Sequence, residues 1–124
     1  MVLIIGGAYQ GKLDFAKSAF GLTQDDIFTC TGGEIDFSRR CINHVEEFVL
    51  WCIRSGEDAV EFFQSHREQW QDSILICEDL SAGVVPMEAQ MRAWRQMNGL
   101  VCRYLSGEAS RVSRLFCGLE ERLK

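Results

Sequence analysis

The sequence has one proline, Pro86, and no low-complexity stretch, internal repeat or linker. Nothing in it marks a domain boundary, so one domain over residues 1–124 is expected. No apolar run approaches the ~20 residues that a membrane-spanning helix needs. Basic residues are in deficit: 13 Lys and Arg stand against 18 Asp and Glu, giving a net charge of −5. That balance excludes a general nucleic-acid surface but leaves room for a local basic pocket around a nucleotide. Paired cysteines are also absent. Cys30, Cys41, Cys52, Cys77, Cys102 and Cys117 are widely spaced, without a C-x-x-C pair. They read as buried free thiols in a reducing compartment, not as a disulfide framework. Cys41 and His44 have metal-like spacing, but no second pair of ligands accompanies them, so no metal is assigned. Val2 to Ile5 is too short for a signal-peptide core and no basic segment precedes it, so a cytoplasmic protein is expected.

Strands and helices alternate along the chain. Val2 to Ile5 is a short, β-branched apolar run, the pattern of a buried parallel strand. A helix over Leu13 to Phe20 ends at Gly21, a short strand covers Ile27 to Thr29, and Thr31-Gly32-Gly33 forms a loop. Ile42, Val45, Phe48, Val49, Cys52 and Ile53 recur at helical spacing, which predicts a helix from Ser38 to Arg54, stopped at Ser55-Gly56. Glu57 to Trp70 predicts another, with Val60, Phe63 and Trp70 on one side. Phe62 falls off that side and is left to meet a neighbouring element or a partner chain. Ser73 to Cys77 predicts a buried strand, Met87 to Leu105 a long helix, and Val112 to Cys117 a last strand followed by a tail. Met87, Met91, Trp94, Val101 and Leu105 form a stripe that reads as core. Gly99 sits within that helix, where a glycine often admits a close backbone approach. The class is α/β with a mainly parallel sheet flanked by helices.

The chemistry concentrates in Gly6-Gly7-Ala8-Tyr9-Gln10-Gly11-Lys12, which satisfies G-x-x-x-x-G-K between a strand and a helix. In such a loop backbone N–H groups turn inward around phosphate oxygens. The helix N-terminus adds partial positive charge, and lysine reaches the outer phosphates. The full motif has Ser or Thr after lysine as a ligand for Mg²⁺. Leu13 stands there instead, and Asp14 is one residue displaced. A tight strand-to-helix turn with Lys12 on the surface is the plainer alternative. Glu78-Asp79, after the buried strand, reads first as a pair of loop carboxylates and second as a substitute Mg²⁺ site.

Two segments resemble one family. The front, "IIGGAYQGK", is similar to the T-G-G-A-R-S-G-K-S loop of the bifunctional adenosylcobinamide kinase/adenosylcobinamide-phosphate guanylyltransferases. That family also carries N-E-V-G-x-G-[IV]-V-P, then R-x-[FW]-R and a helix glycine. Here Glu78 and Asp79 stand in the Asn and Glu places and Ser81 replaces the first glycine. Gly83, Val84, Val85 and Pro86 match, as do Arg92, Trp94, Arg95 and Gly99. Gly118, Leu119 and Lys124 resemble the family's ending. The resemblance covers residues 1–21 and 73–124. In the middle, Arg40, Ile42 and His44 keep part of the family's histidine segment. Val45, Phe48, Val49 and Cys52 stand where its Arg, Arg, Pro and Trp belong. The family's strand ending in Asp-Cys-Leu-Thr has no counterpart, and the chain is shortened here.

The resemblance implies a P-loop NTPase-like fold and a kinase or guanylyltransferase of cobalamin biosynthesis, acting on adenosylcobinamide, a corrinoid, with ATP or GTP. Gly6, Gly7, Ala8, Tyr9, Gln10, Gly11, Lys12 and Leu13 would surround the nucleotide phosphates. Lys12 would serve catalysis, and His44 would be the guanylyl acceptor. Asp79, Arg92 and Arg95 would support the site, Mg²⁺ would accompany the nucleotide, and a homo-oligomer is implied. The broken histidine segment leads us to expect that guanylyl transfer is lost. A degenerate member that binds nucleotide or corrinoid without chemistry, as a regulatory or structural subunit, is the alternative. A module that keeps only the fold is a third, against which the lysine argues.

Overall fold

A computed structural model of the chain describes residues 1–81 and 85–124. Gly83 and Val84, which enter the resemblance above, lie outside the described residues. β1 (Val2–Gly6) leads through the glycine loop into α1 (Lys12–Phe20). β2 (Ile27–Thr29) and β3 (Cys41–Asn43) follow, then α2 (Val45–Ser55), α3 (Ala59–Ser65) and α4 (Arg67–Trp70). β4 (Ile74–Glu78), α5 (Ala89–Glu108), β5 (Arg111–Phe116) and β6 (Leu119–Arg122) complete the order. The strands form one six-stranded sheet in the order β2-β3-β4-β1-β5-β6, parallel except for β6.

Alternation along β1 builds two cores, one on each face. Leu3 joins Phe48, Val49, Phe63, Trp70, Leu75 and Leu105 under α2, α3 and α5. Ile4 joins Ala16, Ile76 and Leu115 under α1. The central strands are buried on both sides, which is why β1 and β4 read as continuous apolar runs. Trp70 is buried, and its indole N–H donates to the Phe63 carbonyl at 2.8 Å, so its polar edge is satisfied inside the core.

Several expectations need correction. Cys41–Asn43 is a strand, not the first turn of a helix; it pairs in parallel with both β2 and β4. The helix begins only after His44, at Val45. The segment from Glu57 to Trp70 is two helices broken at His66, whose ring Nδ1 approaches the Phe62 carbonyl at 2.8 Å. Phe62 meets a neighbouring element, the first of its two expected outcomes, with its ring centroid 4.6 Å from Phe48 and 4.1 Å from His66. Met87 precedes α5 and is exposed, so it does not belong to the core stripe. Among the described residues Gly99 has no neighbour close enough to require glycine. Cys117 is exposed, not buried, whereas burial pushes Cys30 and Cys41 up to about 12 and keeps them protonated. The tail after Cys117 is an edge strand, β6.

Candidate functional site

The connection from β4 through α5 to β5 passes over β1. The helices after β1 and after β4 therefore cover opposite faces. In open α/β sheets, such a switch leaves a crevice at the carboxyl ends of the strands, where ligands bind. The glycine loop, His44 and Glu78 all lie at those ends. Gly6 stands in register with Glu78 on β4 and with Leu115 on β5. A Cβ on Gly6 would lie 2.6 Å from the Leu115 carbonyl oxygen, so the strand can enter the loop only as glycine.

The loop is held in shape by its neighbours. The Gly118 N–H donates to the Gln10 carbonyl at 3.1 Å, and the Cys117 N–H donates to Gln10 Oε1. The Asp79 N–H donates to the Gly6 carbonyl at 2.8 Å. Tyr9 forms the apex, fully exposed and with φ +59, a strained value for a residue with a side chain. Gly11 precedes α1, and no side chain caps that helix. Among the described residues no side chain accepts from its first-turn N–H groups, and Asp14 places a carboxylate in the same turn.

Lys12 is not on the surface. It is 8% exposed, and its Nζ donates to the Gly7 carbonyl at 2.6 Å, across the loop. The ammonium thus sits within the arc of the loop, held by a carbonyl and by no carboxylate. Gly11, Lys12, Leu13 and Asp14 line a pocket of about 190 Å³ with Tyr9, Gln10, Asn43 and His44. Leu13 also packs against the core under α1, which accounts for an apolar residue at this position.

His44 joins β3 to α2 in the left-handed region, at φ +57 and ψ +48. A non-glycine residue there stores strain, a feature that clusters at binding sites and switches. Its Nδ1 lies 2.7 Å from Glu46 Oε2. Glu46 is buried, and its other oxygen accepts the Glu78 N–H at 2.9 Å. The Glu46 carbonyl accepts the Trp94 indole N–H at 2.8 Å. Asn98, also buried, donates to the Glu78 carbonyl at 2.8 Å and accepts from the Cys77 thiol. These bonds fix the backbone on both sides of Glu78 and leave its carboxylate free of hydrogen bonds among the described residues. Burial raises the Glu78 pKa, and Glu46 raises it further; Lys12 and His44 pull it down.

The other expected residues lie apart from this pocket. Asp79 accepts from the Ser81 N–H and hydroxyl. Arg95 donates to the Ser81 carbonyl, and Arg92 to the carbonyls of Pro86 and Met87. Asp79 and Arg95 line a separate pocket of about 210 Å³. Their bonds, with those of Arg92, reach Ser81, Pro86 and Met87 and, among the described residues, no group of the Lys12 pocket. Asn43, Glu46 and Asn98 escaped the sequence reading. Their signal was a polar residue within an apolar helical or strand pattern, which the spacing alone assigns to core.

No family model matches this chain, and no curated protein matches it. Among the described residues no three His, Cys, Asp or Glu side chains converge to hold a metal ion, and no helix is long and apolar enough to cross a membrane.

Proposed function

We propose that the Gly6–Lys12 loop holds the phosphates of a nucleoside triphosphate, ATP or GTP, in a P-loop NTPase-like arrangement. The observation that carries this reading is the largely buried Lys12 side chain, whose ammonium folds across the loop at an uncapped helix N-terminus. A surface lysine beside a packing turn has no reason to be enclosed this way. An entering phosphate replaces the Gly7 carbonyl as the partner of Nζ, and the N–H groups of the first turn of α1 complete the cradle. Lys12 then stabilises charge that builds on a transferring phosphoryl group.

The resemblance extends the proposal to the acceptor. The chain acts on the hydroxyl of a corrinoid such as adenosylcobinamide, as a kinase of cobalamin biosynthesis in the cytoplasm, working as a homo-oligomer. Mg²⁺ needs one or two carboxylates beside the phosphates. Glu78, adjacent to Gly6 and with no hydrogen bond to its carboxylate, fits that role; Leu13 offers no ligand. When bound, the ion neutralises charge on the β- and γ-oxygens. His44 shares the Lys12 pocket and has its ring oriented by Glu46, but guanylyl transfer is proposed as lost with the rest of its segment. The packing of Leu13 favours a second reading, a degenerate subunit that binds nucleotide or corrinoid without transfer.

Titration with ATP and GTP, with and without Mg²⁺ and adenosylcobinamide, tests these readings by calorimetry and label transfer. Transfer to the corrinoid supports the kinase. Saturable binding without transfer supports the degenerate subunit. Absence of nucleotide binding overturns both. A GMP adduct on His44 overturns the loss of guanylyl transfer.

A further inference from the structure

A further pocket, of about 330 Å³, opens at the junction of α2 and α3, at the far end of α2 from His44. Its volume is within the range of small-molecule sites, roughly 300–1,000 Å³. Aromatic rings form its walls. Trp51 stacks at 6.2 Å from Phe48, and Phe48 meets Phe62 at 4.6 Å. Trp51 is 40% exposed, so its indole is available to the cavity. It is also seated in a fixed place: a Cβ on Gly33 would lie 2.4 Å from the Trp51 ring. Only glycine lets the loop after β2 close over this indole.

The polar lining has one sign. Glu57, Asp58 and Glu61 contribute carboxylates, and no lysine or arginine lines the pocket. Asp58 is engaged as the N-cap of α3, accepting from the N–H groups of Val60 and Glu61. Glu57 and Glu61 are exposed, and neither is in an ion pair among the described residues. The carbonyl end of α2 and the amide end of α3 meet here, so their dipoles offset and the carboxylates decide the potential. Cys52 lies in the lining, but burial, with Glu57 and Asp58 adding to it, pushes its thiol up to about 11. It is no thiolate ligand for a soft metal ion.

We propose that this pocket binds an organic cation, an alkylammonium or guanidinium group, between the aromatic walls and the Glu57 and Glu61 carboxylates. Aromatic faces attract such cations, Trp most strongly, and the carboxylates complete the charge. The group can belong to a free small molecule or to a basic side chain of a partner.

Choline and N-acetyl-arginine amide are the two probes, titrated into the full chain and followed by the Trp51 indole and Gly33 amide resonances. Saturable shifts at these positions are expected, with half-saturation at roughly millimolar concentration. The neutral isostere of choline, 3,3-dimethylbutan-1-ol, is expected to bind at least about tenfold more weakly. Tighter binding of choline assigns a free ammonium ligand; tighter binding of the arginine derivative assigns a partner's side chain. The Glu57→Gln/Glu61→Gln double variant changes two exposed residues, and it is expected to weaken the cations while leaving the alcohol unchanged. The proposal fails if neither cation shifts Trp51 at about 50 mM. It also fails if the alcohol binds as well as choline, or if the double variant binds choline undiminished.

Discussion

Leu13 stands where a complete phosphate loop carries a metal-binding hydroxyl, and Glu78 lies in register with Gly6 on the neighbouring strand. Leu13 packs, partly buried, against the core under α1, so in the proposed site a metal-binding role would fall to the Glu78 carboxylate on the neighbouring strand. Replacing Leu13 by Ser is expected to strengthen the Mg²⁺ dependence of nucleotide affinity. It should cost no more than ~1–3 kcal/mol of stability, the range for removing a partly buried aliphatic side chain from apolar contact. Calorimetry with and without Mg²⁺ and denaturant unfolding check both parts; unchanged Mg²⁺ dependence would show that Glu78 already suffices. Glu78 has a consequence of its own. Its folded pKa is raised, first by burial and then by Glu46, so the folded state holds this proton more tightly than the unfolded chain. Stability from this group is therefore lost as pH rises from the unfolded value toward the raised folded one. Glu78→Gln removes that slope. Relative to the parent, the variant should gain stability in urea unfolding as pH rises above the ordinary glutamate value of about 4.3. A constant difference above that value would contradict the assignment.

At the scale of elements, helices with glycine stops and the short strand β2 were legible, and β3 and the exposed β6 were not. Gly21 and Gly56 terminate α1 and α2 as left-handed caps, the positions that their place after each apolar pattern predicts. β3 is only Cys41–Asn43, and its alternation is too brief to separate from the helical spacing that begins at Val45. Only the left-handed turn at His44 divides the two, and no local residue preference announces it. β6 failed for a different reason. Leu119–Arg122 is exposed throughout, so burial writes no alternation into it. What holds β6 is polar: Glu120 accepts from the Ser113 hydroxyl and from Arg111 across the ladder. Those bonds hold the Glu120 pKa below its usual value, the Ser113 bond most strongly. Glu120→Ala leaves the buried Ser113 hydroxyl without this acceptor and should cost about 1–2 kcal/mol at neutral pH. A depressed carboxylate stabilises above its unfolded pKa and loses that effect as pH falls through the folded one. The cost of Glu120→Ala should therefore shrink in acid, opposite in sense to Glu78→Gln. Parallel unfolding curves at both pH values check it.

Across the whole molecule, the legible part of the site was the part written contiguously. Gly6 to Lys12 is one uninterrupted segment, and its place between β1 and α1 followed from pattern alone. Glu46, Glu78 and Asn98 are brought together by the parallel pairing of β3, β4 and β1 and by the packing of α5, which no local signal encodes. The same convergence decides how binding affects stability. The Lys12 pocket draws on the loop after β1 and the turn after β3, and Glu78 adds the end of β4. Those strands carry both cores, so opening any of them separates the groups proposed to hold the phosphates. A nucleotide that binds only the folded state then stabilises the whole chain, by about 2.7 kcal/mol at a hundredfold excess over its Kd. For a chain of this size that corresponds to a rise in Tm of roughly 10 °C. Lys12→Met keeps the length of the side chain and removes its charge, so it should lower the affinity by about tenfold or more. The rise in Tm at the same nucleotide concentration should then shrink accordingly, while choline bound at the α2–α3 pocket stabilises parent and variant equally. Scanning calorimetry with nucleotide and choline added separately measures the difference. A nucleotide shift that survives Lys12→Met intact would move the phosphate site away from the Gly6–Lys12 loop.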